Sequence, residues 1–228
     1  MEFSFELLAL LSLVAILAGF IDAIAGGGGL LTIPALLFTG MSPVQAIATN
    51  KLQACFGSFT ATRFFIKQKL VSPKKQVWGI LAAAMGAAIG AMAIQLFDSK
   101  ILITLLPFAL IIIAVYLVIA KNFGESAEKP KLDKKNFNAS FVGGIGFYDG
   151  FFGPGTGTFF TLSYCKIRAM NLIKATAHAK LMNFTTNIVS LMIFILSDQI
   201  IWQVGLAMAI GQIIGARIGA ATALKQGT

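Results

Sequence analysis

Long apolar stretches separated by short polar segments dominate the sequence. A helix needs about 20 apolar residues to cross a bilayer core of about 30 Å, because each residue advances the helix by about 1.5 Å. Unbroken stretches of this length cannot be open sheet in lipid, where unpaired backbone groups have no water to bond. The pattern therefore predicts an all-α polytopic membrane protein. The predicted unbroken spans lie at residues 45–66, 77–97, 101–120, 175–196 and 201–222.

Two further apolar segments, 7–38 and 137–163, are interrupted by glycine. The first contains four consecutive glycines at 26–29, and the second contains Gly-Pro-Gly-Thr-Gly at 153–157. Glycine adopts backbone conformations that end a helix and reverse the chain. We therefore predict that each segment is a glycine-broken, re-entrant hairpin with its tip at the glycines.

The composition supports a membrane location. Hydrophobic residues make up 57% of the chain and charged residues 12%, about half the charged share of an ordinary soluble domain. The mean hydropathy is +0.83. These values exclude a soluble enzyme, a disordered chain and a small disulfide-stapled module. Cys55 and Cys165 lie in or beside apolar stretches and show no metal-binding spacing.

The net charge of +9 is concentrated in a few connections. Segments 67–75, 121–135 and 163–174 hold 12 of the 18 Lys and Arg residues. Because membrane proteins keep Lys and Arg in cytoplasmic loops, we predict that all three segments face the cytoplasm. Both ends of segment 137–163 then lie on that side, as a re-entrant hairpin requires, and segment 7–38 enters from the other side. The positive charge thus indicates topology and does not indicate nucleic-acid binding.

The sequence contains an internal repeat. Gly-Phe-Ile-Asp at 19–22 matches Gly-Phe-Tyr-Asp at 146–149, residues 48–52 match 177–181, and Gly86 and Gly90 match Gly211 and Gly215. Three matches in the same order indicate a tandem duplication. The first half has an odd number of crossings, so the two repeats are predicted to be inverted, as in many secondary transporters. We predict a first repeat at 1–120, a cytoplasmic linker at 121–136 and a second repeat at 137–228.

Residues 19–54 resemble the signature of the sulfite exporter TauE/SafE family, and residues 146–159 and 174–183 are similar to its second repeat. The resemblance covers nearly the whole chain and is closest to the bacterial branch named as probable membrane transporter proteins. It implies a multi-pass carrier of the bacterial inner membrane for sulfite, sulfoacetate or another organosulfur anion. Such proteins usually carry a further C-terminal span, so the second repeat is expected to lack its last helix and the chain to be a truncated product.

Charged residues within the apolar segments are the strongest functional candidates. Asp22 and Asp149 occupy matching positions, and intramembrane carboxylates commonly carry protons, so both are predicted to couple proton movement. The alternative is that each caps its glycine break. Lys51 and Lys180 also match and are predicted to bind an anion or pair with an Asp. Their alternative role is snorkelling to the interface.

The glycine breaks are predicted to be unwound backbone that offers N–H groups to a ligand. The alternative is a tight turn without a ligand, and the absence of a following Lys-Ser or Lys-Thr excludes a P-loop. His178, the only histidine, either titrates during transport or packs within its helix. The predicted substrate-binding residues are Gly26, Gly27, Gly28, Gly29, Thr32, Asn50, Lys51, Gln53, Gly153, Gly155, Thr156, Thr158, His178, Lys180 and Asn183.

These features favour a secondary transporter, an exporter of a small anion that works by alternating access. Its expected partners are the bilayer, the anion and protons as the coupling ion, with no metal or cofactor. One alternative is an anion channel, which uses the same polar midplane breaks. A remoter alternative is an intramembrane aspartyl protease, which requires the two Asp carboxyls to share a proton. Its Gly-x-Gly-Asp motif is absent.

Overall fold

The computed structural model describes residues 3–119 and 127–226, and these contain helices and no strands. The α-helices are α1 (Phe5–Ala25), α2 (Gly29–Phe38), α3 (Pro43–Lys67), α4 (Val77–Ile94), α5 (Ser99–Ile119), α6 (Lys134–Phe137), α7 (Gly143–Phe151), α8 (Thr156–Lys166), α9 (Leu172–Leu196) and α10 (Trp202–Gln226). A π-helical turn at Asn138–Val142 joins α6 to α7. The predicted helical fold class is confirmed. Residues 121–126 of the predicted linker lie outside the described residues.

Polar caps decide where the long helices begin. Ser42 and Gln45 form a reciprocal capping box at the start of α3, and Pro43 occupies its first turn. Asn171 caps α9 by accepting a hydrogen bond of 3.0 Å from the Lys174 N–H. Both helices therefore begin a few residues before the apolar stretches that predicted them.

Four of the described helices are long and apolar enough to cross a membrane: α1, α4, α9 and α10. The predicted span at 45–66, now α3, is not among them although it has 25 residues. Its polar side chains, including Asn50 and Gln53, are buried among neighbouring helices. A helix enclosed by protein in this way does not need an apolar surface, which explains its lower hydropathy.

The first glycine-broken segment folds as a hairpin of α1 and α2. Leu36, near the end of α2, and Met41, just after it, lie in one buried cluster with Leu11 from the early part of α1. The two arms are unequal, because α1 has 21 residues and α2 has 10. The first arm is therefore long enough to cross the bilayer by itself.

The second glycine-broken segment forms a hairpin of α7 and α8. Tyr164, near the end of α8, contacts Phe137 at the start of the hairpin with ring centroids 5.0 Å apart. The Arg168 guanidinium donates to the Leu132 carbonyl at the same end. Both ends of this segment therefore lie together.

The tips of the two hairpins touch in the middle of the protein. The Thr158 hydroxyl donates to the Ala25 carbonyl across the contact. Gly26 has a φ of +88°, and a Cβ built on it would lie 2.2 Å from the Gly157 carbonyl carbon. A larger residue at Gly26 would therefore be strained and would push the tips apart.

Each hairpin packs on a helix of the other half of the chain. Helix α1 packs along α10, and α7 packs along α4. A Cβ on Gly215 would lie 2.0 Å from the Ile16 carbonyl oxygen, and one on Gly90 would lie 2.1 Å from the Phe147 carbonyl oxygen. The repeated glycines are thus close-packing faces on which two backbones meet.

The basic connections gather at one end of the helical bundle. The Lys134 ammonium donates to the Lys75 carbonyl, and the Lys131 N–H donates to the Ile167 carbonyl at 2.8 Å. These bonds tie together segments 67–75, 127–135 and 163–174. The charge that was spread along the sequence is therefore concentrated on one end of the protein.

The glycine faces give a test of the packing. Replacing Gly90 by valine should destabilise the protein by about 1–3 kcal/mol, because the new side chain overlaps the α7 backbone. Thermal unfolding in detergent measures the loss. Gly144→Val on α7 is the matched control, since a Cβ there meets nothing within 4 Å. Equal midpoints for the two variants would contradict the close packing.

Candidate functional site

Two crossed ion pairs lie at the centre of the protein. The Lys51 Nζ is 2.8 Å from the Asp149 Oδ1 and also donates to the Asp149 carbonyl. The Lys180 Nζ is 2.8 Å from the Asp22 Oδ2. The Lys51 side chain is 0% exposed and that of Lys180 is 1% exposed, which rules out snorkelling for both. Each lysine therefore binds the aspartate of the other half.

The glycine breaks place the two carboxylates. Asp22 and Asp149 each precede the first glycine of their break by one helical turn. The Gly28 N–H donates to the Asp22 Oδ1 at 3.4 Å, and the Thr156 hydroxyl donates to the Asp149 Oδ1 at 2.9 Å. Each carboxylate therefore bonds to its own hairpin at the glycine break and also pairs with a lysine of the other half.

Pairing is what makes these charges tolerable in an apolar interior. An unpaired buried charge costs several kcal/mol, whereas a hydrogen-bonded pair offsets most of that penalty. The Asp149 side chain is 2% exposed, while that of Asp22 is 20% exposed. The second pair therefore has access to more solvent than the first.

A small polar cavity lies between the hairpin tips and helices α3, α9 and α10. It has a volume of about 30 Å³, enough for one or two water molecules and well below the size of ordinary ligand pockets. A ligand larger than one or two waters therefore does not fit in this conformation unless the surrounding groups move. Its lining comprises Asp22, Gly26, Gly28, Gly29, Thr32, Asn50, Gln53, Ala54, Asp149, Gly153, Gly157, Asn183, Asn187 and Gln212.

Side-chain amides supply most of the hydrogen-bonding groups of this cavity. The Asn50 Oδ1 accepts from the Thr32 hydroxyl at 2.5 Å and from the Gln53 Nε2 at 2.6 Å. The Asn187 Nδ2 donates to the Asn183 Oδ1 at 2.9 Å. Among the described residues, the Gln53 Oε1 and the Asp149 Oδ2 have no hydrogen-bond partner. The cavity thus offers polar groups that a ligand or a proton can engage.

Most of the predicted site residues come together here. Asp22, Asp149, Gly26, Gly28, Gly29, Thr32, Asn50, Gln53, Gly153 and Asn183 line the cavity. Lys51, Lys180 and Thr156 bond to its carboxylates, and Thr158 joins the two tips. Gly27 and Gly155 belong to the breaks without lining the cavity.

His178 lies apart from this site. Its ring is 5.3 Å from that of Tyr164, and its Nδ1 is 2.8 Å from the Lys174 carbonyl oxygen. Both partners belong to the end of the protein that carries the basic connections. The contacts match the packed role that was the alternative for this residue.

Gln212 is a cavity residue that the sequence did not single out. A Cβ on Gly57 would lie 2.4 Å from the Gln212 Oε1, and one on Gly19 would lie 2.9 Å from it. Its side chain therefore passes between two glycines to reach the centre. The signal available in the sequence is a polar residue directly after Gly211 within the apolar segment 201–222.

The two carboxylates are held separately. Asp22 and Asp149 each bond to a different lysine, and no hydrogen bond joins them in the described part of the chain. An aspartyl protease dyad requires two carboxyls that share one proton. The observed pairing is a different arrangement.

Comparisons with known proteins agree with the sequence pattern. The family model described as "Sulfite exporter TauE/SafE" matches residues 11–228. The chain is 47% identical to "Probable membrane transporter protein YfcA" of Escherichia coli strain K12 over 221 residues, which cover 97% of the chain and 82% of that protein. It is 44% identical to a "Probable membrane transporter protein" of Haemophilus influenzae, over 100% of the chain and 89% of the relative.

A more distant relative, "Probable membrane transporter protein YunE" of Bacillus subtilis, is 26% identical over 99% of the chain and 90% of its own length. No solved structure matches the chain significantly. The family match extends over both glycine breaks and all four central charges. The chain therefore belongs to the sulfite exporter TauE/SafE family and is a multi-pass membrane transporter of a bacterial inner membrane.

Proposed function

We propose that this transporter exports a small anion, sulfite or an organosulfur compound, by alternating access. The observation that carries the proposal is the pair of crossed Lys–Asp bonds beside a small polar cavity. Each bond joins a hairpin of one half to a long helix of the other. Opening one bond frees one hairpin to move while the second bond keeps the other side closed.

The packing supports two inverted repeats, 1–120 and 137–228, joined by a cytoplasmic linker at 121–136. The ends of the first hairpin pack with Val204 at the start of α10, whereas the second hairpin opens among the basic connections. The hairpins therefore enter the bundle from opposite ends. Lys and Arg favour the cytoplasmic side, which makes the second hairpin the one that opens inward.

The lysines supply the positive charge for an anion. In this conformation both ammonium groups bind carboxylates, so an entering anion has to compete with Asp22 or Asp149. A carboxylate displaced from its lysine in this environment binds a proton, because an unpaired buried charge is costly. Proton coupling then follows from the exchange of partners at the lysine.

The glycine breaks provide a second source of anion affinity. Helices α2 and α8 both begin at the breaks, and Gly28, Gly29 and Gly157 line the cavity beside these N-termini. The positive end of the helix dipole favours an anion there. Two such ends that meet in one cavity suit a compact oxyanion.

Residues that differ between the halves are suited to specificity. The charged residues repeat, but Asn50 corresponds to Ala179 in the second half and Gln53 corresponds to Met182. These two cavity amides therefore have no amide at the matching position of the second half. We assign the repeated Lys–Asp pairs to opening and closing, and the unrepeated amides to recognition of the substrate.

Transport should collapse when both lysines are removed. In proteoliposomes, Lys51→Ala with Lys180→Ala should lower sulfite flux by at least tenfold, since a charge-assisted contact to an anion is worth about 1.5–3 kcal/mol. Lys100→Ala with Lys174→Ala is the control, because it removes two exposed cations that are not in the cavity lining. Unchanged flux in the cavity variant would refute the anion site.

The first ion pair should show strong energetic coupling. Lys51→Met or Asp149→Leu alone leaves a buried charge without its partner and should destabilise the protein by about 3–5 kcal/mol. The double variant should recover much of that loss, because it removes both charges. The free energy of unfolding in detergent is measured for the unmodified protein, the two single variants and the double variant, which together form a double-mutant cycle. Additive losses would show that the pair does not hold the halves together.

The proposed topology predicts the labelling of single cysteines. With Cys55 and Cys165 replaced by alanine, a cysteine at Lys129 or Lys174 should react only with reagents that reach the cytoplasm. A cysteine at Asp98 or Asp198 should react with impermeant reagents added outside. Labelling of Lys174→Cys from outside would reverse the orientation of the second hairpin.

A further inference from the structure

An apolar groove runs along the outer surface between α4 and α7. It has a volume of about 1000 Å³ and is separate from the central cavity. Its walls include Leu81, Met85 and Ile89 of α4 and Phe147 of α7, all of them exposed. Exposed apolar side chains in a membrane protein face lipid, and here they form a concave surface that can hold a chain.

One end of this groove is polar. Lys134, Lys135 and Asn138 line it beside Trp78, which is 75% exposed. The Lys134 ammonium donates to the Lys75 carbonyl, which fixes it at the end of the bundle that carries the basic connections. No carboxylate lies among the described residues that line the groove. This end therefore presents positive charge without an acidic partner in its lining.

Asn138 is a separate sign of a ligand. The residue is only 5% exposed, and its Nδ2 has no hydrogen-bond partner within the described ranges. A buried donor without a partner costs about 1–3 kcal/mol, so such groups usually have a role. Asn138 also begins the π-helical turn Asn138–Val142, and turns of this kind are frequent at functional sites.

We propose that this groove binds one anionic phospholipid. The phosphate of the headgroup accepts hydrogen bonds from Lys134, Lys135 and Asn138, and the acyl chains lie along Leu81, Met85 and Ile89. Basic pockets between membrane helices on the cytoplasmic side commonly hold such headgroups. Trp78 lies at the same level, where indole rings favour the membrane interface.

The charge argues for a lipid and against a second copy of the chain. A copy in the same orientation would bring its own basic end to this surface, and like charges oppose that contact. A phospholipid supplies a negative head at one end and hydrocarbon along the rest. One phospholipid molecule can therefore contact both the basic end and the apolar wall of the groove.

Binding of phosphatidylglycerol to the purified full-length chain tests the proposal. Native mass spectrometry from phosphatidylcholine nanodiscs, titrated with phosphatidylglycerol, gives the affinity. Lys134→Gln with Lys135→Gln should weaken binding by about 25-fold, because each Lys near an anionic headgroup contributes about a factor of five. Lys69→Gln with Lys174→Gln removes two other exposed charges and should leave the affinity unchanged.

Gly144→Phe tests the groove without touching its charges. A Cβ on Gly144 meets nothing within 4 Å, so the ring occupies the groove and leaves the packing of α7 on α4 intact. This variant should keep the thermal midpoint and lose the lipid. Retention of phosphatidylglycerol by both groove variants would overturn the proposal. The proposal would also be overturned if the groove variants changed from dimer to monomer while lipid binding stayed the same. Displacement of phosphatidylglycerol by an equal concentration of glycerol 3-phosphate would overturn it too, because the acyl chains would then contribute nothing.

Discussion

A buried charge in an apolar interior requires a partner, and this requirement links the two halves of the protein. Each half carries one Asp at its glycine break and one Lys on a 25-residue helix, yet neither lysine binds the aspartate of its own half. Neutralising the interior therefore depends on the two halves being assembled. These two crossed ion pairs hold the hairpin tips against the helices that carry the lysines, with the cavity between them.

Close backbone contact brings the two halves near enough for each lysine to reach the aspartate of the other half. Gly26 lets the two tips touch, while Gly90 and Gly215 let each hairpin lie against a helix of the other half. The contacts have no side chains between them, so each hairpin lies directly on the backbone of its neighbour. A larger residue at any of these glycines would separate the two elements.

Hydrophobic pattern alone was enough to predict the helical fold and the position of both breaks, because apolar length and glycine content are local properties. The repeat also marked Asp22, Asp149, Lys51 and Lys180, although it left their partners open. The choice of partner depends on how the halves pack, which no local pattern encodes. Gln212 was missed for the same reason, since its path between two glycines exists only after assembly. The membrane orientation and the division into inverted repeats stay predictions.

The crossed pairs also set an order of events during synthesis. Asp22 binds a lysine 158 positions later in the chain, and Lys51 binds an aspartate 98 positions later. At ribosomal speeds of about 5–20 residues per second, Asp22 waits roughly 8–30 s for its partner to be made. During that interval Asp22 lacks the partner that offsets its burial, so placing the first hairpin in lipid costs free energy. That cost is offset only after the second half has been made.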